Sequence, residues 1–214
     1  MNNIKKLLFG ISFALISLMS CGKQIPNSFD FGTIANNTYT NTYFGFSMAV
    51  PSGWNVQTSE EMKAMSNLGK ELMAGEDKHF KKQIDAAEIN VANLFTAFQF
   101  ELGETTGYNP SVVINAENIS KTPIKTGADY LNAARKTLAR SQMSLQPTSS
   151  NERIVLGGKE FSYFSGTLDV QGIAVQQRYY SSVINNFSLN IVLNYQTEAE
   201  LERLLEVLKT LQFN

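Results

Sequence analysis

The sequence predicts an α+β domain built on a central antiparallel sheet of about six strands flanked by helices. Three observations lead to that class. The C-terminal third alternates as long strands joined by tight turns; three segments open on Thr-x-x-Glu or Thr-x-x-Asp before apolar residues at helical spacing; and an aromatic strand ends at Pro51-Ser52-Gly53-Trp54.

The first residues bear on compartment rather than fold. Lys5-Lys6 precedes an apolar run from Leu7 to about Met19, the charged and apolar regions of a secretory signal. As a helix that run spans roughly 20 Å, short of the roughly 30 Å hydrocarbon core. Leu18-Met19-Ser20-Cys21-Gly22 resembles the bacterial lipoprotein box. The resemblance implies cleavage before Cys21, diacylglycerol on its thiol and an acyl chain on the new amine. Two or more acyl chains make anchoring durable. Cys21 is the only cysteine, so its acylation leaves no thiol chemistry elsewhere. Gly22 in place of an aspartate favours the outer membrane over the inner.

Cleavage removes Lys5 and Lys6 from 18 basic residues set against 19 acidic ones. The mature chain is therefore weakly acidic and has no basic stretch for a nucleic-acid partner. The expected organisation is a signal over 1–20, a lipidated tether over 21–38 and one domain over 39–214. The tether is polar and unpatterned apart from Phe29 and Phe31, and as a flexible coil it would span roughly 23 Å.

Within the domain, Phe44, Phe46, Met48 and Val50 share one face of a strand running from Tyr39 to Val50. Trp54 is expected to be buried after the Ser52-Gly53 turn, and its truncation to cost about 3–5 kcal/mol. Thr58 and Glu61 form a capping box for a helix over 59–74, whose Met62, Met65, Leu68 and Leu72 read as a core stripe. Residues 76–90 are charged and hold His79, the only histidine. Without a second histidine or a free cysteine, a solvated face explains it better than a metal or catalytic role.

Two further strands, 92–101 and 110–119, surround a loop with Gly103 and Gly107 that matches no phosphate-binding pattern. Thr126 and Asp129 start a second helix with Leu131, Ala134 and Leu138 inward. Its Arg135, Lys136 and Arg140 suit a helix C-terminus. A meander follows through turns at Gly157-Gly158, Gln171-Gly172 and Asn185-Asn186. In its last strand Phe187, Leu189, Ile191, Leu193 and Tyr195 face one way. Ser188, Asn190, Asn194 and Gln196 face the other, expected to be largely wet. Thr197 and Glu200 then box the start of a helix carrying Leu201, Leu204, Leu205, Leu208 and Leu211. Glu198, Glu200, Glu202 and Glu206 read as solvated acids, those of the first turn favoured by the helix dipole.

Tyr43-x-Gly45-Phe46-Ser47, Pro51-x-Gly53-Trp54, Gly157-Gly158 before Phe161, Gln177-x-x-Tyr180 and the terminal Leu-x-x-Leu-x-Phe resemble the PsbP-like α+β domains over about 39–213. That family is named for an extrinsic photosystem II subunit and includes small bacterial lipoproteins and a Ran-binding import factor. The resemblance implies an antiparallel sheet covered by helices, and binding or scaffolding rather than catalysis. No family site residue carries over.

No Gly-x-Ser-x-Gly, His-Glu-x-x-His or other catalytic pattern occurs, so no catalytic, cofactor or metal residue is assigned. The expected protein is a lipid-anchored envelope accessory or scaffolding factor that is not an enzyme. It is held to the membrane through Cys21 and binds an undetermined protein or small molecule. The alternative is an envelope hydrolase using carboxylates or hydroxyls that one sequence does not rank.

Overall fold

The computed structural model describes residues 25–103, 108–170 and 172–214. Cys21, the signal segment, Gly107 and Gln171 lie outside them.

Two antiparallel sheets replace the single sheet of about six strands. The smaller has the order β1 (Thr33–Ala35), β2 (Thr38–Asn41), β3 (Phe46–Ala49) and β12 (Gln212–Phe213). The larger has eight strands: β4 (Asn55–Val56), β5 (Val91–Phe98), β6 (Ser111–Asn118), β11 (Phe187–Tyr195), β10 (Ile173–Ile184), β9 (Lys159–Val170) and β7 (Ser144–Pro147), with β8 (Glu152–Leu156) also paired to β9. The count rises because β4, β7 and β8 are short edge pieces whose pairing is set from across the sheet, beyond any local pattern. The expected strand from Tyr39 to Val50 is two strands, β2 and β3, reversed about Gly45 at φ 66°.

Helices follow the capping signals. α1 (Ser59–Ala74), α3 (Gly127–Arg140) and α4 (Glu198–Lys209) each carry a complete capping box, on Thr58, Thr126 and Thr197 respectively. α2 (Lys78–Glu88) is capped by Asp77, which accepts from the amides of His79 and Phe80. The box works because the hydroxyl and the third-position acid each satisfy a backbone amide that the first turn leaves open.

Both faces of the larger sheet are covered. One packs on the smaller sheet and α4 around Phe46, Met48, Phe161, Tyr180, Ile191 and Leu204; the other packs on α1, α2 and α3 around Met73, Ile84, Leu131, Phe164 and Val192. This corrects the wet face expected for β11. Ser188 and Asn190 are 0% and 4% exposed and Asn194 1%, while Gln196 just past the strand is exposed, because the helices of the second cluster cover this face, α3 reaching Asn190 through Tyr130. The approach is close: a Cβ on Gly127 would sit 2.0 Å from the Ser181 carbonyl oxygen.

Three other expectations change. Trp54 is half-buried and packs against the rim of the first cluster. The stripe Met62, Met65, Leu68 and Leu72 is also half-buried, while Gly69, Lys70, Met73 and Ala74 are the buried residues of α1. Lys70 is drawn inward by Glu88 at 2.5 Å and Asp85 at 3.7 Å on α2, which turns the helix about its axis. Residues within the expected tether also pack on the domain. Ile25 packs against the core, Phe29 is 7% exposed within it, and Asn41 Nδ2 donates to the Asp30 carbonyl at 2.9 Å.

Candidate functional site

The β1–β2 hairpin, the start of α1, the end of α2 and the start of β5 meet around a groove. Val91 and Asn93 of β5 form its floor, Ser59, Met62 and Lys63 of α1 one side, and Asp85, Glu88 and Ile89 the other, with Phe31 at the mouth. Its volume is about 470 Å³. A smaller cavity of about 260 Å³ shares Phe31, Ser59, Met62 and Asn93 and runs on toward β4 past Tyr39, Gln57 and Phe95. Together they make a channel along the flank of β5.

The channel is amphipathic. Phe31 and Ile34 are 50% and 47% exposed toward the hairpin end and Ile89 41% on the α2 side, large apolar side chains along the channel's edge. Exposed apolar groups that adjoin a concavity mark binding surfaces more often than isolated ones do. Charge beside Ile89 is already committed: Lys70 ties Glu88 and Asp85 to α1, and Lys81 reaches Asp85 at 3.2 Å. That network ties α1 to α2 beside the groove. The Phe31 side is fixed by Tyr39, whose hydroxyl donates to the Phe31 carbonyl at 2.8 Å. Asp30 completes it, accepting from the Gly32 amide at 2.7 Å and from the Thr42 amide and hydroxyl at 2.6 Å.

The polar groups with catalytic potential on paper are placed differently. His79 is exposed on α2 with Gln83 at 3.2 Å as its ring partner. Glu200 is consumed by the capping box, Glu206 pairs with Lys209 at 2.5 Å, and Glu198 and Glu202 are solvated. Arg135 lies 4.0 Å over the Phe164 ring and donates to the Ser149 carbonyl, and Arg140 lies over Phe80. Arg135, Lys136 and Arg140 therefore do not converge on an anion site.

A polar seam not expected from the sequence lies beneath α3. Tyr130 donates to Glu117 at 2.8 Å, Asn190 to Asn115 at 3.1 Å, Ser188 to Asn190 at 2.7 Å, and Asn194 to Ser111 at 3.0 Å. Burial pushes the Tyr130 hydroxyl well above its usual range, and the neighbouring Glu117 charge pushes the same way. Tyr130 bonds the helix to the sheet and the remaining members bond β11 to β6, so their hydrogen-bonding capacity is spent on structure. Among the described residues no group of three or more His, Cys, Asp or Glu side chains is placed to hold a metal ion. None of the described helices is long and apolar enough to cross a membrane.

Sequence reasoning missed the groove because its parts are distributed over residues 31–34, 59–63 and 85–93. The one local signal was the pair Phe29 and Phe31, now divided between core and rim.

No family model matches the chain, and no curated protein matches it. Solved structures do. The cyanobacterial PsbP (CyanoP) of Synechocystis aligns with 14% identity and a TM-score of 0.50 over 92% of this chain and 99% of its own. LpqN of Mycobacterium tuberculosis, described as involved in cell envelope biogenesis, aligns with 11% identity and a TM-score of 0.47, over 79% of this chain and 83% of its own. At such identities a likeness reports fold. The alignment over nearly the whole of CyanoP, together with helix-covered antiparallel sheets and a C-terminal helix ending in a strand, gives this chain a PsbP-like fold.

Proposed function

We propose that this is a bacterial envelope protein, acylated at Cys21 after signal cleavage. Its PsbP-like domain is a non-catalytic accessory or scaffolding module that holds a segment of a partner in the groove beside β5. The observation that carries the reading is the pair of exposed apolar side chains Phe31 and Ile89 lining a concavity of about 470 Å³, with exposed Ile34 in the adjoining one. The lipobox supports the envelope location, with Gly22 favouring the outer membrane.

The test is co-purification from detergent-solubilised membranes of the native host. Wild type and Val155→Asp should retain the same partner, since Val155 is 66% exposed on a distant strand; Phe31→Asp and Ile89→Asp should lose it. Equal retention by all four chains would remove the groove from the proposal. The anchor is tested separately. Cys21→Ala should accumulate unprocessed or leave the membrane, and wild-type membrane retention after cleavage would sink lipidation.

A further inference from the structure

We infer that the groove binds its partner by strand addition: an extended peptide hydrogen-bonds to the open edge of β5. The inference rests on the groove being the binding site proposed above, and it names the chemistry of the occupant.

On its inner side β5 pairs with β6 from Val91 to Phe98. On its outer side β4 covers only Ala97 and Phe98, and the Gln57 amide extends the cover by one bond to the Thr96 carbonyl at 2.9 Å. Among the described residues no strand lies beside β5 upstream of that point. The direction of the free groups follows from the ladder. The Asn118 amide donates to the directly opposite Asn90 carbonyl at 2.9 Å, which makes these two a hydrogen-bonded pair. In an antiparallel ladder such pairs recur at every second residue. Ala92 therefore also faces β6, and the N–H and C=O of Val91 and Asn93 point outward. These are the two residues that floor the groove.

Four backbone groups in extended geometry are what an incoming strand needs to pair. Native sheets blunt such edges with proline, lysine or a bulge. Here the bulge begins only at Leu94, where the register with β6 shifts between Asn93 and Phe95, and no proline occurs in β5. The bulge sets the length of the occupant at about three residues in register. Side-chain chemistry narrows it further. Alternate residues on one face of the added strand meet Met62, Ile89 and Phe31, so they are apolar. Lys63 has no ion pair among the described residues, while Asp85 and Glu88 are neutralised by Lys70 and Lys81. The groove thus favours an acidic residue over a basic one beside the apolar ones.

The test selects short random peptides on the full-length protein in detergent and measures them against Asn93→Pro and Asn93→Ala. Proline removes the outward N–H of Asn93 without touching the bonds to β6; alanine keeps it. Selected peptides should alternate apolar residues, bind the alanine variant as they bind wild type, and bind the proline variant about tenfold more weakly. They should also raise hydrogen-exchange protection at the Val91 and Asn93 amides. N-methylation of alternate peptide amides should abolish binding, which keeps the test decisive even where the proline variant misfolds. Peptides that bind both variants alike and tolerate N-methylation would overturn strand addition while leaving the groove a binding site. Failure to select any peptide on wild type would overturn it too, and partner co-purification would then judge the groove independently.

Discussion

Asp30 shows how a single carboxylate defines the start of the domain. Its bonds from the Thr42 hydroxyl and then the Thr42 amide hold the carboxyl below the usual carboxylate range, against a weaker opposing effect of burial. A depressed folded-state pKa contributes stability that is present above the unfolded value and lost as pH falls through the folded one. The Phe31 rim should therefore loosen below about pH 4. Hydrogen exchange should show the Gly32 and Thr42 amides losing protection in that range, and Asp30→Asn should show the same loss at neutral pH. Burial separates two aromatic residues in the same way. Phe46 is 1% exposed, so Phe46→Ala should cost about 3–5 kcal/mol in urea unfolding. Trp54→Ala should fall below that range, and the Trp54 emission should lie between those of buried and free indole. The sequence marked both residues as core. For Phe46 alternation along β3 was sufficient, whereas the depth of Trp54 depends on which element caps a turn, and no local pattern records that.

At the scale of elements, the signals that proved legible are those whose physics closes within a few residues. Thr58-Glu61, Thr126-Asp129 and Thr197-Glu200 announced three helices, because each box satisfies amides in its own first turn. Thr197→Ala should accordingly cost about 1 kcal/mol of global stability by denaturant titration. Ser188, Asn190 and Asn194 illustrate the opposite case. Their alternation with apolar residues correctly placed them on one face of β11, but whether that face is wet depends on where α3 comes to rest. α3 rests there because Gly127 lets its backbone meet the Ser181 carbonyl and Tyr130 reaches Glu117. Gly127→Ala should push the helix off the seam, with an overpacking cost of about 1–3 kcal/mol. Near-ultraviolet circular dichroism should weaken more than the far-ultraviolet helix signal if the displacement is local to α3.

For the whole molecule, the position of the first packed residue decides how the domain meets a membrane. A tether over 21–38 would hold the domain clear of headgroups, but Ile25 packs on the core, Phe29 is part of it, and Asp30 is bonded to Thr42. Only four peptide links separate Cys21 from Ile25, a reach of at most roughly 14 Å. An acylated Cys21 would thus set the Phe29 side of the domain against the headgroups. The Phe31 ring, 5.0 Å from that of Phe29, would lie at the membrane surface and the groove would open close to it. A partner segment would then be captured beside the bilayer. In vesicles carrying the acylated protein, a thiol introduced as Ile34→Cys should react more slowly with a bulky polymer maleimide than one introduced as Val155→Cys. A flexible Gly/Ser insert after Gly22 should remove the difference, because a longer coil releases the domain from the surface. Equal reactivity at both positions before insertion would mean that the domain stands off the membrane despite the short link.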